Sequence, residues 1–138
     1  GVVTVERYSV VDDFGNLINP MLAEGQVHGG VAQGIGQAIT EHVVYDDRGQ
    51  LLTGSFMDYA MPRADNIPLV RFDTEAVPST ANAMGMKGCG EAGTVGALAA
   101  VANAVQDALW DHGVRQADMP FTPQRVWEML NHNAIAAE

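Results

Sequence analysis

The stretch from Met21 to about Glu41 constrains the fold most, because it reads as one helix and yet carries five glycines. Asn19-Pro20 opens it with a capping side chain and a proline suited to a first turn. Each glycine inside a helix costs roughly 1 kcal/mol against alanine, so close tertiary contact must offset several of them. At 100° per residue the helix sorts into three faces. Val27, Val31, Ile35, Ala38 and Ile39 form an aliphatic stripe for a core. Gly25, Gly29, Ala32 and Gly36 form a small-residue stripe that another backbone or a rigid ligand can approach. Gln26, Gly30, Gln33 and Gln37 form a third stripe, whose amides suit a ligand with both donor and acceptor edges. A tightly packed helix with a solvated polar face fits the same pattern.

A second glycine-rich stretch, Met86-Lys87-Gly88-Cys89-Gly90-Glu91-Ala92-Gly93-Thr94, precedes strong helix signals. Its glycines permit positive φ and close backbone approach, and its amides converge with the positive end of the following helix near Glu91. A carboxylate there can act as a base beside an anionic ligand, or simply favour the helix N-terminus. Cys89 reads as a redox or ligand thiol, or as a small buried filler. Lys87 can pair with Glu91, meet a cofactor phosphate or stay solvated. The string Gly88-x-Gly90-x-x-Gly93 matches a dinucleotide fingerprint, but an irregular loop precedes it where a strand is required, which argues against a Rossmann fold.

With 138 residues, 47% of them hydrophobic and 17% charged, the chain suits a single globular domain, 1–138. A net charge of −10 with seven scattered Lys and Arg excludes a nucleic-acid or anionic-membrane surface. One cysteine excludes an internal disulfide and a cysteine-built metal cluster. No apolar run reaches membrane-spanning length and no signal peptide is visible. Gly1 leads straight into strand-like sequence, so the chain reads as cut from something longer.

In order, Val2–Val11 reads as a strand and Asp12–Asn16 as a turn, followed by the helix from Met21. His42–Tyr45 and Leu51–Phe56 read as a hairpin. Residues 57–68 are too broken by proline for regular structure, and Asp58 and Arg63 read as functional residues or as ties that hold the loop down by hydrogen bonds and a salt bridge. Leu69–Ala76 alternates as a half-buried strand. Pro78–Gly93 is a long loop. From Thr94, read as N-cap, Val95, Leu98, Ala102, Val105 and Leu109 mark a helix stopped by Gly113, and Thr122-Pro123 starts a short helix through Leu130. Ala134–Glu138 reads as a frayed tail. The expected fold class is α+β: a mixed or antiparallel sheet of about four strands, two long helices and a short C-terminal one. His28, His42, His112 and His132 lack paired ligand spacing, and no side chain is assigned to a metal.

Lys87–Gly93, together with Gly25-Gln26-Val27-His28-Gly29-Gly30-Val31-Ala32-Gln33-Gly34-Ile35-Gly36, resembles the large subunit of the molybdenum hydroxylases. That family includes xanthine dehydrogenases, aldehyde oxidases and oxidoreductases, and aerobic carbon monoxide dehydrogenases. The resemblance runs from about Val3 to Asn131 and implies a C-terminal portion of a much longer molybdopterin-binding subunit. The stretch from Met57 to Pro68 also resembles the family's Asp-Tyr-x-x-Pro segment, which stands here as Asp58-Tyr59-Ala60-Met61-Pro62.

The resemblance further implies that Glu91 is the general base beside the molybdenum and that Gln26 hydrogen-bonds the molybdopterin, with Gly88, Cys89 and Gly90 holding the cofactor's oxygens. It implies the molybdenum cofactor, with the cytosine dinucleotide form open, and 2Fe-2S clusters and often FAD on other domains or subunits. The expected partners are the remainder of the subunit, iron–sulfur and flavin partners and a small-molecule substrate, in the cytoplasm. Purines, aldehydes, N-heterocycles and carbon monoxide all stay open as substrates. Two alternatives stand beside this reading: a docking module inactive without the rest of the subunit, and an unrelated α+β binding protein.

Overall fold

A computed structural model describes residues 1–135. Its centre is a pair of long helices, α1 (Pro20–Ile39) and α2 (Ala92–Trp110), packed on each other along much of their length. Asn19 caps α1 by accepting the Leu22 N–H at 3.1 Å, and Pro20 fills the first turn, where its missing N–H costs nothing. All five members of the expected aliphatic stripe, from Val27 to Ile39, are buried.

The helix contact explains the glycines. A Cβ added to Gly34 would stand 2.5 Å from the Ala97 Cβ, and one on Gly30 would stand 2.7 Å from the Thr94 nitrogen. From the other side, a Cβ on Gly93 would stand 2.4 Å from the Val27 carbonyl oxygen. These approaches, to main-chain atoms and to the Ala97 Cβ, leave no room for any side chain but glycine's hydrogen. The expected small-residue stripe holds only in part: a Cβ on Gly36 would stand 2.7 Å from the Pro62 Cδ, whereas Gly25 and Gly29 face open space, and the approach to α2 runs through Gly30 and Gly34.

The same closeness corrects the reading of α2. Ala97, Val101, Val105 and Leu109 are buried, whereas Val95 is 71% exposed. A narrow interhelical gap selects the small side chain of Ala97, so the buried stripe is rotated from the one that bulk alone suggests. Nor is Thr94 the cap. The helix starts at Ala92 with Glu91 at the N-cap position, and Thr94 sits in the first turn. Gly113, at φ 84°, follows the helix end as expected and donates its N–H to the Trp110 carbonyl at 3.0 Å.

The sheet differs from expectation. Among the described residues it has two strands, β1 (Tyr8–Asp12) and β2 (Val70–Thr74), and they are parallel, with Val10 opposite Phe72. Residues 1–7 join no ladder, and the expected hairpin reduces to one antiparallel bridge between Tyr45 and Leu51. A parallel pair needs a long crossover, which α1 and the proline-broken segment provide, and local alternation cannot reveal such pairing. β2 does alternate as expected: Val70, Phe72 and Thr74 are half-buried, while Arg71 and Asp73 face out.

Below the sheet, the buried Phe14 stacks on Phe72 with ring centroids 6.2 Å apart. At the other end, the fully buried Phe121 donates its N–H to the Ala38 carbonyl at 2.7 Å, which fixes the lead into α3 (Pro123–Ile135). Of the expected tail, 134 and 135 continue α3, and 136–138 lie outside the described residues. Among the described residues no helix is long and apolar enough to cross a membrane.

Candidate functional site

The long loop before α2 is irregular, as its sequence implies, but it is firmly rooted. Gly15 and Met86 form an antiparallel bridge, with Asn16 N–H to the Gly85 carbonyl at 3.0 Å and Lys87 N–H to the Phe14 carbonyl at 2.9 Å. Gly15 (φ 60°) and Gly85 (φ 65°) are both left-handed, and a Cβ on Gly15 would meet the Gly85 oxygen at 2.1 Å. Glycine is therefore required where the two loops cross. Asn16 Nδ2 donates to the Met84 carbonyl at 2.9 Å, and the Asn82 amide brackets Met86 at 2.9 and 3.1 Å.

Asp13 ties this junction to the sheet. Its Oδ1 accepts the N–H groups of Gly15 at 2.9 Å and Val77 at 3.0 Å, and its Oδ2 pairs with Lys87 Nζ. The Lys87 hydrogen bond and then the two amides hold the Asp13 carboxyl down at about 2. A depressed carboxyl pKa contributes stability above the unfolded value and loses it as pH falls through the folded one. The clasp therefore persists through neutral and mildly acidic pH and weakens only from about pH 4 towards 2. Lys87 thus pairs with Asp13, not with Glu91.

The two glycine-rich stretches meet directly. Gln26 Nε2, on α1, donates to the Gly90 carbonyl at 2.8 Å. Beside this bond lies a cavity of about 420 Å³ whose lining includes Phe14, Leu17, Leu22, Gln26, Cys89 and Gly90. Three of the five candidate residues, Gln26, Cys89 and Gly90, therefore share one wall. Cys89 is half-buried and packs on the core as well. Gly88 is exposed and does not line the cavity; a Cβ on Gly88 or on Gly90 would meet nothing within 4 Å. Glu91, next to Gly90, is exposed at the N-cap position, and its side chain makes no capping bond. Gln33 and Gln37 are exposed, and Gln33 Oε1 receives a long 3.4 Å bond from Thr94 Oγ1.

The remaining candidates lie apart. His28 Nε2 stands 3.7 Å from Glu24 Oε1, and neither residue lines the cavity. Asp58 accepts from Ser55 Oγ at 2.8 Å, and the Arg63 backbone donates to Asn66 at 2.9 Å, so local hydrogen bonds tie this loop down without the expected salt bridge. Tyr59 OH donates to Glu41, which holds the loop against the end of α1. A larger apolar cavity of about 710 Å³ runs between residues 1–9 and α2 with α3, and none of the five candidates reaches it. Asp13 and Asn16 join the site although neither belongs to a glycine-rich motif. Their one local signal is the Asp-x-Gly spacing of Asp13 and Gly15, because an Asx side chain there closes on the backbone two residues on.

Residues 1–68 match a molybdopterin cofactor-binding domain. Nicotine 6-hydroxylase large subunit from Paenarthrobacter nicotinovorans is 45% identical over 91% of this chain and 15% of its own length. Carbon monoxide dehydrogenase large chain from Hydrogenophaga pseudoflava is 38% identical over 99% of this chain and 17% of its own. Among solved structures, quinoline 2-oxidoreductase from Pseudomonas putida 86 superposes with a TM-score of 0.89 at 42% identity, covering 93% of this chain and 16% of that one. The chain belongs to the molybdopterin-binding domains of the xanthine dehydrogenase and carbon monoxide dehydrogenase large-subunit family. It spans about one sixth of the length of these relatives.

Proposed function

We propose that this chain is the C-terminal part of the large subunit of a molybdenum-cofactor hydroxylase, where it supplies one wall of the molybdopterin pocket and the general base, Glu91. The observation that carries the reading is the Gln26–Gly90 bond, which joins the two family motifs at one cavity. The residues present suit the cofactor. Gln26 spends one N–H on Gly90 and keeps its Oε1 acceptor for a ligand donor. Open space beside Gly88 and Gly90 leaves room for a bulky group near main-chain amides. Phe14, Leu17 and Leu22 offer apolar surface to a flat heterocycle.

When bound, the cofactor supplies the two-electron oxidation of the substrate carbon. Glu91 takes the proton of the attacking oxygen onto a carboxylate Oε, and its exposed, uncapped side chain is free to do so. Gln26 would orient the pterin, and the main-chain amides of Gly88, Cys89 and Gly90 would hold its oxygens. In the whole enzyme, iron–sulfur and flavin partners would accept the electrons. Gln26→Ala in the full-length parent subunit is expected to weaken cofactor retention about tenfold, the worth of one good hydrogen bond in a partly buried site. Pterin released from the purified protein measures it, and full retention in the variant would remove Gln26 from the pocket.

The chain on its own has a second, compatible reading as a non-catalytic docking module. Leu69 (97% exposed), Met57 (92%) and Phe56 (81%) favour it, since apolar side chains this bare suit contact with the rest of a subunit.

A further inference from the structure

We infer that Asp13 is a positioning residue of this site: by clasping Lys87 it sets where the loop that bears Cys89, Gly90 and Glu91 stands against α1. The inference rests on the reading of that loop as the cofactor loop and extends it to a residue outside both glycine-rich motifs.

Three chain segments converge on one carboxylate. Oδ1 closes the turn after β1 through Gly15 and reaches the strand exit after β2 through Val77, while Oδ2 takes the Lys87 ammonium. The next fixed points on the loop are the Gln26–Gly90 bond and the start of α2. Between Lys87 and Gly90 lie Gly88 and Cys89, and a Cβ on Gly88 would meet nothing within 4 Å, so no side-chain packing holds the span at that residue. A span of this kind takes its course from its two anchors; the Lys87 backbone keeps its bond to the Phe14 carbonyl, so losing the side-chain clasp loosens this anchor without freeing it and gives the cavity wall play. Asp13 and Lys87 are each about one-third exposed at the side chain, and a charge-assisted bond keeps more of its strength there than on an open surface.

Asp13→Asn separates the two tasks of the carboxylate. Asparagine Oδ1 still accepts from Gly15 and Val77, so the turn stays closed, but its NH₂ faces the Lys87 ammonium donor to donor. In the full-length parent subunit, amide hydrogen exchange of this variant is expected to quicken about fivefold over Lys87–Glu91, as loss of one charge-assisted bond implies, with α1 and most of α2 unchanged. Lys87→Arg, which keeps the charge, is expected to exchange like wild type. Turnover per bound molybdenum is expected to fall several-fold in Asp13→Asn, with kcat changing more than KM, measured on whichever aldehyde, purine or N-heterocycle the wild type oxidises.

Loop exchange equal to wild type in Asp13→Asn would overturn the inference, as would acceleration spread over the whole domain or a loosened loop with unchanged kcat. A wild-type parent without molybdenum would instead defeat the cofactor reading, while exchange would still report on the clasp.

Discussion

Replacing Glu91 by glutamine in the full-length parent subunit is expected to abolish most turnover and leave the cofactor in place. Loss of a positioned general base lowers rates by about 10²–10⁴-fold, which is roughly 3–5 kcal/mol of barrier. The exposed side chain of Glu91 makes no capping bond, so its neutral isostere removes proton-accepting capacity without unseating α2. The loop is anchored instead by the Asp13–Lys87 pair and the Gly15–Met86 bridge, and both survive the substitution. Steady-state oxidation of a substrate panel, with molybdenum measured on the same samples, checks it. Undiminished kcat would assign the base elsewhere.

A stability experiment of comparable size sits two residues further on. Gly93→Ala drives a methyl group into the Val27 carbonyl at 2.4 Å, where two helix backbones meet and neither flexes cheaply. The cost is about 2–3 kcal/mol, the upper part of the overpacking range. Gly96, on the same helix, has nothing within 4 Å of its Cβ position. Gly96→Ala is therefore expected to stabilise by about 0.5–1 kcal/mol through helix propensity alone. Denaturant melts of the 138-residue chain compare the two directly. A Gly93→Ala variant as stable as Gly96→Ala would refute the close-packed helix pair.

These contacts also show what the sequence makes legible. Asn19-Pro20 and the aliphatic stripe from Val27 to Ile39 are local signals, and the structure places them as read. The alternation of Val70 and Phe72 is equally local, and it survives as β2. What fails is non-local. The parallel pairing of β1 with β2 leaves no mark on either strand, and the polar turn at Asp46–Gly49 carries a single bridge where a hairpin was expected. The helix contact depends on which glycines face the partner: Gly30 and Gly34 stand well round the axis from Gly25 and Gly29, and no local signal marks which pair meets α2.

At the site, the two motifs mark Gln26 and Gly90 as candidates for one ligand, whereas neither their direct bond nor the partner of Lys87 is legible in the sequence. Asp13 lies 74 residues away and reads as an ordinary turn residue until the chain is folded. Gly88 and Glu91 sit on the loop as expected but do not line the cavity wall that Gln26, Cys89 and Gly90 share.

The cofactor reading stands or falls on the molybdenum content of the wild-type parent subunit, purified from a host that makes the cofactor. About one molybdenum per subunit, released together with a pterin, is the expected result. A folded parent with neither would contradict it and leave the cavity beside Gln26 as a site for some other ligand.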